Sequence, residues 1–139
     1  MKKLFILLLA VFLYAGPYTN QLSKCLIDST SKKDKIILIN WIFAMYSAHP
    51  NIKIISIPQS KRDIYYKKVA KLFVRLLTED CKIEFKEALK YEGKYALSQS
   101  FSLLGQVSAR ELISNPLVTK ESMKYLKYID KNKFEKLLK

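Results

Sequence analysis

Three glycines and four prolines in 139 residues leave too few turn formers for an all-β sandwich, which needs such residues roughly every 8–12 positions. Half of the residues are hydrophobic, nine Tyr and seven Phe among them. That is enough apolar surface for a core and too much for a disordered chain. The expected fold is all-α, a compact bundle of about five or six helices held by one disulfide. The length suits a single domain, since domains cluster at about 100–150 residues.

Residues 1–16 have the pattern of an export signal. Lys2 and Lys3 supply a basic start, Leu4 to Ala15 an unbroken apolar run, and Ala15 and Gly16 the small residues near a cut. The run is too short for a bilayer, which takes about 20 apolar residues, so a retained anchor is the weaker reading. Tyr14 spoils a small-x-small pattern ending at Gly16, and Pro17 follows directly, so the cut is placed between Ala15 and Asn20. The expectation for 17–139 is one helical domain, periplasmic or secreted, with no transmembrane segment after cleavage.

Export gives the two cysteines their meaning. In an oxidising compartment Cys25 and Cys81 are expected to form an intramolecular disulfide. They lie 56 positions apart, whereas a redox pair is close in sequence, so the bridge is read as structural. Lipid attachment at Cys25 wants a small residue before it. Lys24 stands there instead, and lipidation would strand Cys81.

Along the chain, Gln21 to Ser31 reads as a polar N-terminal segment. Ser31 with Asp34 forms a capping pattern that starts a helix, apolar all round from Lys35 to Ala48 except at Asn40 and therefore expected at the centre. Trp41, Phe43, Met45 and Tyr46 would be its bulk. His49-Pro50 ends it, and Ile52 to Pro58 reads as a tucked-in apolar loop. A helix from Ser60 to about Leu77 places Tyr65, Val69, Leu72 and Leu76 on one face and Ile64, Lys68, Lys71 and Arg75 on another. Thr78 is expected to cap the next helix and Gly93 to stop it. The following helix, about Tyr95 to Ser114, carries small residues at Ser98, Ser102, Gly105 and Ala109. That stripe reads as a place where another helix packs closely, offsetting the cost of Gly105, about 1 kcal/mol against Ala. Two short helices, about 120–129 and 131–138, complete the pattern.

The formal charge of +13, reduced by two on losing Lys2 and Lys3, would suit an anionic partner. Only three of the cations are arginine, the residue that recognises phosphate and bases by its planar fork. No run of five basic residues occurs, so a nucleic-acid partner is not expected and a solvated lysine surface is the plainer reading. With one histidine there is no multi-histidine metal site. No G-x-S-x-G, C-x-x-C or Gly-rich phosphate loop is present. No catalytic residue, metal or cofactor is expected. Gln106, Arg110 and Glu111 occupy about one turn of the long helix and read first as a solvated edge.

The stretch CLIDSTSKKD from Cys25 to Asp34, with Trp41-Ile42-Phe43, His49-Pro50, Leu76-Leu77-Thr78, Cys81, Leu104-Gly105-Gln106 and Glu111-Leu112, resembles a family of small secreted proteobacterial proteins of unknown function. The resemblance covers most of the chain after the leader. It implies a periplasmic helical protein with the Cys25–Cys81 pair, brings no activity, and directs attention to Asp28, Thr30, Asp34 and His49. With Trp41, Gln106 and Glu111 these are the candidate functional residues. The expected role is a non-enzymatic binding module for a protein partner or a hydrophobic ligand; the alternative is a basic surface protein engaging anionic envelope lipid or polymer.

Overall fold

A computed structural model describes residues 16–138; the expected leader, apart from Gly16, lies outside them. Seven α-helices are formed among the described residues, with no strand. They are α1 (Pro17–Ser29), α2 (Lys32–Tyr46), α3 (Gln59–Arg75), α4 (Lys82–Glu92), α5 (Lys94–Ile113), α6 (Pro116–Ser122) and α7 (Lys131–Glu135). A π turn, Leu76–Asp80, lies between α3 and α4, and a 3₁₀ turn, Lys124–Tyr128, between α6 and α7. The chain divides into two compact units, the first ending at Ser108 and the second beginning at Ala109.

The segment read as a polar N-terminal loop is α1. Pro17 opens it with a preset φ, and Thr19, Leu22, Ser23 and Leu26, spaced 3, 1 and 3, form its buried stripe. Its cap comes from α4. The Glu92 carboxylate accepts the amides of Tyr18 (3.0 Å) and Thr19 (2.8 Å) and the Thr19 hydroxyl. A carboxylate there satisfies amides that have no partner within the helix and complements the positive end of its dipole. Glu92→Ala leaves these donors without their acceptor, Thr19 being buried. Its expected effect is a loss of about 1–3 kcal/mol in unfolding free energy, measured by urea denaturation followed by circular dichroism.

The core of the first unit joins Leu22 and Leu26 of α1, Leu38 of α2, Val69 and Leu72 of α3, Leu76, Cys81, Ala88 of α4, and Ala96 and Leu104 of α5. Cys25 and Cys81 form the expected disulfide, with Cα atoms 5.8 Å apart. The π turn contributes to that placement: the Cys81 amide donates to the Leu76 carbonyl at 2.8 Å. The helix widens by a residue just where the sulfur must turn inward, and Cys81 is fully buried. Thr78 does not cap α4, since its hydroxyl donates back to the Val74 carbonyl at 2.7 Å and Cys81 occupies the capping position. Gly93 ends α4 in the left-handed region, φ +73°, where a side chain is strained.

α2 starts at the capping box of Ser31 and Asp34, but it is not central. Its buried residues are Asp34, Leu38 and Ala44, while Phe43, Met45 and Tyr46 are exposed and Trp41 is half-buried. The apolar run is wider than the face that packs. In the 52–58 loop Ile54 stands out in solvent, while Ile52, Ile55 and Ile57 are half-buried.

The second unit is built from short elements with their own caps. Asn115 accepts the Leu117 amide (2.9 Å) and Asp130 the Asn132 amide (3.1 Å). None of α6, the 3₁₀ turn or α7 has a buried residue.

Candidate functional site

The feature of the first unit best suited to hold a ligand is a half-open cavity of about 280 Å³ between α2, α3 and α5. Leu38, Trp41 and Ile42 line it from α2, Phe73 from α3, and Ser98, Phe101, Ser102, Leu104 and Gly105 from α5. Its aromatic wall is a connected set. The Trp41 ring meets Phe73 edge-on at 5.7 Å between centroids, and Phe73 meets Phe101 at 4.6 Å. Such contacts hold each ring at a fixed angle and add stability beyond area burial.

The opposite wall is made of small residues, and their role differs from the one expected. A Cβ on Gly105 would find no atom within 4 Å, so no helix packs closely there. Ser98 and Ser102 are exposed. The buried stripe of α5 is instead Ala96, Ser100, Leu104 and Ser108. Within it Ser100 accepts from the Ser23 hydroxyl at 3.1 Å and donates to the Thr19 carbonyl at 3.2 Å, so the seam between α1 and α5 is polar but satisfied.

The candidate residues sort by position. Trp41 lines the cavity. Gln106 stands beside it, its amide donating to the Ser102 hydroxyl at 3.4 Å, and Glu111 is an exposed residue of the second unit. The others serve local structure. Asp28 pairs with Lys24 on the surface at 3.2 Å. The buried Thr30 hydroxyl donates to the Leu26 carbonyl at 2.6 Å. His49, exposed after α2, accepts the Asn51 amide on Nδ1 at 3.2 Å. Asp34 completes the capping box and takes a hydrogen bond from Arg75 at 2.9 Å. These contacts draw Asp28, Asp34 and His49 to separate neighbours. Among the described residues no group of three or more His, Cys, Asp or Glu could hold a metal ion.

Two carboxylates are perturbed, both for structural reasons. Burial alone would raise Asp34, but the Ser31 hydroxyl and amide and the Arg75 guanidinium outweigh it and hold the carboxyl below its usual range. Glu92 follows the same pattern: burial would raise it, and the donors of Thr19 and Tyr18 bring it below its ordinary value. Folded-state values below the unfolded ones mean stability that is full at neutral pH and is lost as pH falls through about 4 and below. Melting temperature should therefore fall between pH 6 and pH 3. In the double variant Asp34→Asn, Glu92→Gln it should start lower and fall by less, which thermal scans at the two pH values measure.

What the cavity lacks narrows its chemistry. Its lining has no ionisable group, and its polar atoms are confined to two serines and the Trp41 indole, so its chemistry would suit an uncharged, mainly apolar moiety. An apolar cavity of about 150 Å³ admits benzene; the present one has room for a fused bicyclic ring or a short alkyl chain. No helix among the described residues is long and apolar enough to cross a membrane. No family model, curated protein or solved structure matches the chain.

Proposed function

We propose that the protein is an exported, non-enzymatic helical protein that binds the apolar part of a ligand in the cavity between α2, α3 and α5. The observation that carries this reading is the pairing of a rigid aromatic wall, Trp41, Phe73 and Phe101, with a wall whose small residues leave open space at Gly105. Ordinary core packing leaves few voids larger than a water molecule. A helix interior that keeps a costly glycine facing a void is explained if something fills that void. Export draws its support from the basic and apolar pattern of residues 1–16 and from the disulfide, which persists in oxidising compartments. The likeness to secreted proteobacterial proteins belongs to the same proposal.

The alternative, an anionic envelope target, draws on Lys68, Lys71 and Arg75 around one shallow depression. Arg75 is already engaged there by Asp34 at 2.9 Å and by Asp80 at 3.4 Å, and the Asp34 charge lies in the same depression. The apolar cavity has the stronger claim.

Trp41 is the sole tryptophan and lines the cavity, so its emission reports occupancy directly. Titration with N-phenyl-1-naphthylamine, an uncharged fluorophore, is expected to raise dye emission and quench Trp41 together, with a Kd on the order of 10–100 μM. Decanol should displace the dye. Dye emission unchanged from buffer, with the protein helical by circular dichroism, would sink the reading.

A further inference from the structure

We infer that the chain is cut between Ala15 and Gly16, and that the α-ammonium so created is received by the carboxylate of Glu92. The inference rests on the export reading above and goes beyond it by assigning the processing site and the group that receives the new terminus. The sequence pattern leaves the cut anywhere from Ala15 to Asn20, and the contacts of α1 narrow it. The Tyr18 and Thr19 amides and the Thr19 hydroxyl are held by Glu92. Thr19 is 2 % exposed, and its carbonyl accepts from Ser23 at 2.7 Å and Ser100 at 3.2 Å. A cut after Tyr18 or Thr19 removes some of these groups. A cut after Gly16 removes the carbonyl that accepts the Asn20 amide at 3.0 Å, the first hydrogen bond of the helix. Hydrolysis of the Ala15–Gly16 bond keeps every one of them. Water supplies the hydroxyl to the Ala15 carbonyl carbon, and Gly16 leaves as the amine, protonated at neutral pH.

The position of Glu92 supplies a second, independent reason. A Cβ built on Gly16 would lie 2.1 Å from Oε1 and 2.7 Å from Oε2 of Glu92. Only glycine leaves the carboxylate where it is, and the nitrogen on the same Cα falls within roughly 4.5 Å of Oε1. As part of a peptide bond that nitrogen is neutral. As a free terminus it carries a full positive charge within a few ångströms of a carboxylate that already collects three donors, close enough for a small rotation of the Glu92 side chain to pair them. Ala15 supplies the small residue that a leader cut needs immediately before the bond.

The test expresses the full chain with its leader in a bacterial host, recovers the envelope fraction and reads the N-terminus by sequencing and intact mass. The terminal amine is then titrated by NMR with carbon-13 glycine. The mature chain holds only Gly16, Gly93 and Gly105, so the terminal signal is resolved. The expected start is Gly16, with an α-amino pKa raised by about one unit over the ordinary value near 8, a tenfold tighter hold on its proton. In Glu92→Gln, which keeps an acceptor for the helix amides, it should return to the ordinary value. Tyr91, stacked on Tyr18, and Lys90, over the Tyr91 ring, are unchanged in the variant, as are Tyr18 and Lys94. A mature start at any residue from Pro17 onward, or an α-amino pKa indifferent to Glu92→Gln, overturns this inference and leaves export standing. Recovery of the chain uncut from Met1 in the cytosol overturns both.

Discussion

Cys25→Ser combined with Cys81→Ser lowers the unfolding free energy by about 4 kcal/mol in the expected outcome, the loop-closure value for a ring of this size. The bond joins residues 56 apart in sequence, so cutting it releases a long stretch of the unfolded chain to explore conformations that the bridge forbids. The native side adds its own cost at one end. Cys81 is fully buried in the cluster with Leu22, Leu26 and Leu76, where a serine hydroxyl must find a partner or stay unsatisfied. A loss of that size is comparable to the whole stability of many small domains. Urea denaturation of the variant, and of the parent with and without dithiothreitol, measures it. A midpoint that moves by less than a fifth of the parent value would show that packing alone holds α1 to the π turn.

Gly105→Leu abolishes dye binding while leaving the protein at least as stable as the parent. Gly105 lies inside α5, and a Cβ there meets nothing within 4 Å. The extra carbon therefore brings the helical preference of a non-glycine residue, worth up to about 1 kcal/mol, without a clash. The rest of the leucine side chain occupies the cavity beside Trp41 and Phe101, removing the space a ligand needs. Gly105→Ala, adding only the Cβ, should raise stability and reduce affinity modestly. The combination separates the cavity from a trivial cause, because a variant that melts higher yet no longer quenches Trp41 has not lost binding by unfolding. If Gly105→Ala instead destabilises, something in solution packs against that position and the ligand reading fails.

How much of this was legible depends on where each signal resides. The helical class follows from the scarcity of Gly and Pro, and the face Tyr65, Val69, Leu72 and Leu76, running from α3 into the π turn, from simple periodicity; the last three are buried and Tyr65 is half-buried. The Ser31–Asp34 box is local and reads directly. α1 was hidden because two of its four buried residues are Thr19 and Ser23, whose hydroxyls look polar in sequence and find their partners on Glu92 of α4, on Ser100 of α5 and on the carbonyl of Thr19 within α1 itself. Its cap lies more than 70 residues away in Glu92, beyond any local pattern. α2 misleads in the opposite sense. Its hydrophobic residues outnumber the places its neighbours offer, so a run that looks central leaves Phe43, Met45 and Tyr46 in solvent.

The cavity was half legible. Trp41 stood out as a candidate, and the small residues of α5 were visible as a stripe. Two such stripes run along that helix, about 200° apart at Ser98–Ser102 and Ala96–Ser100, and sequence alone does not tell which faces inward. Leu104, the one large residue that is fully buried on α5, decides it. Asp28, Thr30, Asp34 and His49, singled out by resemblance, hold helix ends and turns and do not meet at one site.

The attachments of α1 set the order in which the chain can mature. This helix is the first of the described elements to emerge, yet its three anchors, Cys81, Glu92 and Ser100, come from positions 81 to 100. Until that later stretch has followed, the earliest-made segment has nothing to grip. Local helices such as α3 can form at once, while α1 waits, its thiol open to oxidation by whatever is nearby. Closure of the bridge thus reports that more than half of the polypeptide has arrived.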